Sequence, residues 1–318
     1  MLRDSFAPYG ADNSMDRMRR LMETAKKYSP SAARTINYAF AYGCGFNFQD
    51  VDKAYGAYDK SQNMVYLNPK YSDEELLSTL VHECRHASQP KNFEVWEHNI
   101  RTNLQWTRAM EADAMAHECA AAYEMKDSLP QVWDRFKRNH AGVAAAYQSA
   151  ADKPDKALGE AFKAWHDDLK YVSKYDKNTL DHLSFYVGRV GTNFLKKSIP
   201  AEEIGEKICR KDGKSYLEKG FMESERALTV DEREIWPQIV NIKYAAFDLT
   251  DFKDPSAGEL YTRAPNGVSV PRRTVLPDAG DRPRQSAPDA EKQTLRATEK
   301  QAALKDRIAA MKGRLGGR

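Results

Sequence analysis

The segment His82-Glu83-Cys84-Arg85-His86 constrains this chain more than any other. Residues four apart lie one above the other on an α-helix, so the two imidazoles can reach a single point only if this stretch is helical. The flanking sequence supplies that helix. Ser72, followed three residues later by Glu75, forms a capping box. Leu76, Leu77, Leu80, Val81 and Cys84 then provide an apolar stripe, and Pro90 stops a helix that spans Asp73 to Gln89. On such a helix both histidines can grip one ion, and Glu83, beside the first of them, can hold water as a general base. A hydrolytic zinc site needs three protein ligands and a fourth position for water. The motif supplies His82 and His86, so a third ligand has to come from another segment.

The candidates for that ligand are Glu97, His98, Glu111, Asp113 and His117. A histidine six residues past His86 would fit the metzincin spacing, but Asn92 stands there. Glu111 is preferred, with Asp113 and His98 as the main alternatives. Alanines surround Glu111 in Met110-Glu111-Ala112-Asp113-Ala114-Met115-Ala116 and let a second helix approach closely. Glu111 also shares a helical stripe with Leu104, Thr107, Ala114, Met115 and Glu118, the face expected to be buried. A buried carboxylate needs a partner, and a metal ion is one.

With the Asn68-Pro69 turn, His82-Glu83-Cys84-Arg85-His86-Ala87-Ser88-Gln89 and Glu111-Ala112-Asp113-Ala114 in view, the chain resembles the gluzincin type of zinc metallopeptidase. It is similar, more narrowly, to a bacterial metallopeptidase family with H-E-x-R-H-x-x-Q and E-A-D-A signatures. The resemblance covers roughly residues 50–125. It implies a zincin-like core, Zn²⁺ held by His82, His86 and Glu111, Glu83 as general base, and a peptide or protein substrate. It also implies that the strand Met64–Leu67 aligns an extended peptide along its edge. One position departs from the pattern: thermolysin-like gluzincins place an aspartate four residues past the ligand glutamate, and here Met115 occupies it. Asp113 and Glu118 are the alternatives for orienting a histidine, and the choice between them stays open.

The rest of the sequence predicts a mostly α (α+β) fold. A helix is expected over 13–28 and closed by Pro30, then a short hairpin from Tyr55–Tyr58 and Met64–Leu67, the motif helix, and one long helix over 93–125. Further helices are expected near 128–150, 155–174, 178–197 and 231–247. Residues 1–250 are read as the metallopeptidase-like domain, with its motif core at 50–125 and a helical remainder at 128–250. Residues 251–318 are read as a proline-rich linker and a basic helical tail. Six of the 14 prolines fall between Pro255 and Pro288. From Pro271 onward there are 12 Lys+Arg against 6 Asp+Glu and no aromatic residue or histidine. Such a segment cannot offset its ordering entropy, so about 255–290 is expected to be disordered, with a helix over Asp289–Met311.

The whole chain carries only +3 and is too balanced to be an electrostatic nucleic-acid binder throughout. It has no apolar run near the length of a membrane span, so no membrane partner is expected. Four scattered cysteines and no leader-like apolar segment suit the cytoplasm. His182 and Tyr186, four apart, are weak candidates for stabilising an oxyanion. Cys84 points away from the motif histidines and is read as packed, and Cys44 as a lone thiol. Two competing expectations are a helical interaction module of a mobile element or an assembly, whose basic tail weakly contacts nucleic acid or a partner protein, and a pseudoenzyme with structural zinc.

Overall fold

A computed structural model describes residues 12–186 and 197–230 and two short strands at 261–263 and 269–271. In chain order the elements begin with α1 (Asp12–Tyr28), α2 (Pro30–Ala41), β1 (Gly45–Phe48), β2 (Gly56–Asp59), β3 (Met64–Leu67) and α3 (Asp73–Ser88). There follow α4 (Ile100–Glu124), α5 (Pro130–Asn139), α6 (Ala141–Ser149), α7 (Pro154–Trp165), α8 (Leu169–Tyr186) and α9 (Ala201–Ile208). The last described elements are β4 (Arg210–Lys211), β5 (Lys214–Ser215), α10 (Glu225–Leu228), β6 (Thr229–Val230), β7 (Tyr261–Arg263) and β8 (Ser269–Pro271). The fold is mostly helical with a few short strands, as the sequence predicts.

Local chemistry explains where the helices begin. At α3, Ser72 accepts from the Glu75 amide while the Glu75 carboxylate accepts from the Ser72 amide. Pro30 ends α1 but also serves as the first residue of α2, because its missing N–H is one a helix start leaves unpaired anyway. The single helix expected over 93–125 starts only at Ile100. Asn99 caps it by accepting from the Thr102 amide, and the Asn103 side chain donates to the Val95 and His98 carbonyls, holding the preceding segment in a non-helical path. His140 similarly divides the 128–150 stretch into α5 and α6. The 155–174 stretch breaks between Trp165 and Leu169, where Asp168 accepts from the Tyr171 amide and α8 begins. Part of the 178–197 helix, the 231–247 helix, most of the linker and the basic tail beyond Pro271 lie outside the described residues. Within the linker the expectation of disorder is corrected: β7 pairs antiparallel with β8 and parallel with β6, so backbone hydrogen bonds order these two short segments.

Helices α3 and α4 pack against each other through Leu76, Leu80, Val81, Cys84, Ala109, Ala112 and Ala116, all buried. Burial on this scale contributes about 1.5–3 kcal/mol for each large aliphatic side chain, and the alanines let the helices come close. Beside them lies a sheet of order β1-β3-β2, in which β1 pairs parallel and β2 antiparallel with β3. This corrects one expectation. Met64–Leu67 is the central strand, because Gly45–Phe48, not recognised as a strand in the sequence, covers its second edge. Among the described residues the unpaired edges belong to the two outer strands, β1 and β2, and the one that lies against the motif helix beside Glu83 is β2. It runs close over α3: a Cβ on Gly56 would stand 3.0 Å from the Glu83 side chain and 2.9 Å from the Tyr66 carbonyl oxygen. Only glycine fits that approach.

Candidate metal centre

Helix α3 turns His82, Glu83 and His86 toward α4, whose Glu111 faces them. His82 Nε2 lies 3.5 Å from one Glu111 carboxylate oxygen and His86 Nε2 lies 3.7 Å from the other. One ligand-type atom from each of the three residues falls within 4.8 Å of the others.

Hydrogen bonding at the far side of each ring determines what the near side offers. His82 Nδ1 lies 3.1 Å from Glu118 Oε2, and Glu118 also accepts from Ser78 Oγ at 2.8 Å. His86 Nδ1 lies 2.8 Å from Gln89 Oε1. The Gln89 amide cannot be reversed, since its nitrogen faces only acceptors: the Met110 carbonyl at 2.8 Å and Asp113 Oδ2 at 2.7 Å. Its oxygen therefore faces His86, whose Nδ1 must carry the proton. Glu118, an acceptor when ionised, imposes the same tautomer on His82. In their neutral form both rings then present an Nε2 lone pair toward Glu111, the form in which imidazole binds a metal.

Charge points the same way. Glu83, Glu111 and Glu118 surround two imidazoles in a largely buried space. Burial opposes protonation of His82, yet its bonds to Glu111 and Glu118 lift its pKa well above the ordinary histidine range. Burial would likewise raise Glu111, but His86, His82 and the Tyr175 hydroxyl outweigh it and hold the carboxyl below the ordinary range. Glu83, with no such bonds, is pushed up by burial against the pull of the two histidines. The cluster thus needs positive charge, and a divalent cation supplies it while leaving the imidazoles neutral. The donor set of two nitrogens and a carboxylate suits zinc among other ions.

The other sequence candidates lie elsewhere. Glu97 pairs with Lys197 at 2.6 Å, and His98 stacks on Phe93 with its Nδ1 on the Glu94 carbonyl. Asp113 is fully buried and serves as a hub, receiving Arg85 Nε at 2.6 Å, the Tyr216 hydroxyl at 2.6 Å and the Gln89 amide. His117 packs beside Asp113 and Tyr216. Cys84 is buried in the core, and burial pushes the Cys44 thiol up to about 11, far from a thiolate nucleophile. His182 is exposed and lines neither cavity beside the cluster; the Tyr186 side chain lies outside the described residues. Tyr175, on the same helix as His182, lines both cavities instead.

The sequence reading named Glu118 and Asp113 as possible orienting groups but missed Gln89, Arg85, Tyr216 and Tyr175 in these roles. Glu118 was accessible to reasoning: it lies seven residues, two helical turns, past Glu111. Gln89, three residues past His86, was also within local reach. Tyr175 and Tyr216 come from distant segments and leave no local signal.

A family model described as "Putative metallopeptidase family" matches residues 5–217, well beyond the 50–125 stretch that carries the motifs. No curated protein and no solved structure matches the chain.

Proposed function

The chain belongs to this metallopeptidase family, and from that premise we propose that it hydrolyses peptide bonds as a gluzincin-type enzyme, with zinc held by His82, His86 and Glu111. The observation that carries the reading is the pair of Nε2 lone pairs directed at one carboxylate, each fixed by an acceptor at its own Nδ1. An ion held there supplies a Lewis acid that acidifies water and polarises the scissile carbonyl.

In this reading Glu83 is the proton carrier. It lines both cavities beside the cluster, and burial raises its affinity for a proton. It takes a proton from the attacking water and returns it to the departing amine. Tyr175, whose hydroxyl bonds Glu111, is the donor best placed to stabilise the developing oxyanion. The exposed edge of β2 offers backbone groups to an extended substrate.

The test is metal content together with turnover. Wild type is expected to carry stoichiometric zinc by elemental analysis, and His82→Ala to lose it. Glu83→Gln should keep the metal while peptide hydrolysis falls at least 100-fold. Full zinc occupancy in His82→Ala would remove the ligand assignment. Unchanged turnover in Glu83→Gln would remove the base, and stoichiometric zinc in a wild type that cuts no peptide would make the site structural.

A further inference from the structure

Two cavities flank the metal cluster, and the charge on their walls is one-sided. The first, of about 590 Å³, extends past His82 and Glu118 and is lined by Lys53, Arg135, Arg138 and Lys174. The second, of about 350 Å³, extends past His86 and Gln89 and carries Lys60 and Lys91. Every carboxylate that lines either cavity is Glu83, Glu111 or Glu118, a member of the cluster itself. Every other charged group on the walls is basic.

These cations are also uncommitted. Elsewhere Lys70, Lys163, Lys197, Lys207 and Lys211 each lie against a carboxylate within 4 Å. Among the described residues none of the six cleft cations does. Arg135 donates to the Glu75 carbonyl and lies over the Tyr55 ring, and Lys174 lies over Tyr171 and Tyr175. Lys91 donates to Asn63 and lies over Tyr58. The aromatic and backbone contacts hold these side chains at the cleft while leaving their charge unneutralised. Glu74 and Glu75 line the adjoining hollow beside Arg135 and Arg138, and Glu75 is bound to its helix cap. A cleft walled by one sign of charge attracts a ligand of the other.

We propose that the cleft selects peptides rich in aspartate or glutamate on both sides of the scissile bond, with Lys53, Arg138 and Lys174 reading one side and Lys60 and Lys91 the other. This specificity rests on the peptidase reading above. Peptide repeats of about 3.3 Å per residue place such side chains within a few positions of the cluster.

The experiment measures binding apart from chemistry. Three fluorescent peptides share an apolar centre and differ only in flanking residues: Asp/Glu, Asn/Gln or Lys. Each is titrated by anisotropy against zinc-loaded, full-length Glu83→Gln protein, and each is offered to zinc-loaded wild type for cleavage. The acidic peptide is expected to bind about tenfold tighter than its amide counterpart, with the gap closing between about 50 and 500 mM salt. Arg138→Glu and, separately, Lys174→Glu in the Glu83→Gln background should each shrink the gap at least threefold. Equal binding of acidic and amide peptides, or preference for the Lys peptide, overturns the proposal. If the amide peptide is cut while no gap exists, only the acidic specificity is lost. If the acidic peptide binds with the expected salt sensitivity and is never cut, the peptidase reading falls and the acidic-peptide cleft stands.

Discussion

Each histidine of the cluster is set by a residue that touches no ion. Glu118 accepts from His82 and is steadied by Ser78; Gln89 accepts from His86 and is steadied by Asp113, which Arg85 and Tyr216 hold in turn. The arrangement accounts for Arg85 and Gln89 within the motif segment, since one fixes the hub and the other reads from it. It also answers how the site works with Met115 where an aspartate was expected: Glu118, one turn further along α4, reaches the imidazole instead. Removing such an outer partner ordinarily costs 10–100-fold in metal affinity. Glu118→Ala should therefore weaken zinc binding by about that factor in a chelator competition, with the fold retained by circular dichroism. Unaltered affinity would show that His82 needs no orienting carboxylate.

Between elements, the pairing of Arg108 with Asp176 matters most. Both side chains are buried, and the guanidinium meets the carboxylate in a two-pronged contact at 2.8 and 2.5 Å while donating to the Ala227 carbonyl. The contact ties α4 to α8 one residue from Tyr175 and three from Glu111, so it positions the tyrosine beside that carboxylate. Losing one member of a buried pair strands the other and costs about 3–5 kcal/mol. Asp176→Ala should lose that much stability in urea unfolding, and a loss below about 1 kcal/mol would refute this account of the α4–α8 junction. The helical elements were legible where caps and apolar stripes coincide, as at Ser72 and along α3. Breaks at Asn99, His140 and Asp168 were not: at Asn99 and Asp168 a side chain folds back to accept from a nearby amide, and at His140 a non-helical backbone separates two stretches of helix-compatible composition. β1 escaped notice for another reason: four residues, Gly45–Phe48, show too little alternation to register without the partner strand.

At the scale of the molecule, no described helix is long and apolar enough to cross a membrane, and acid sensitivity is written into the core. His166 is pulled down to about 3 by burial, with Arg108 adding to the effect, and His117 is likewise held at about 3 by burial and Arg85. An unfolded chain protonates these rings below about pH 6.5 while the folded chain does not. Stability is therefore complete above that pH and falls as pH drops, by about 1.4 kcal/mol per unit for each histidine. His166→Leu should flatten the dependence between about pH 6 and 4 by one histidine's share in urea unfolding, and parallel wild-type and variant curves would exclude it. The motif helix, its cap and the paired histidines one turn apart could be read from the sequence, because helical periodicity and capping are local and need no tertiary partner, whereas Glu111 was there only the preferred one of several candidates. The three-dimensional fold was needed to show which strand is central, that Glu111 and not Asp113 or His98 faces the two rings, which groups orient those rings, and that the cleft-wall charges outside the cluster share one sign. Those facts depend on segments as distant as Gln89 and Tyr216, or Lys53 and Lys174, meeting through packing that no local pattern encodes.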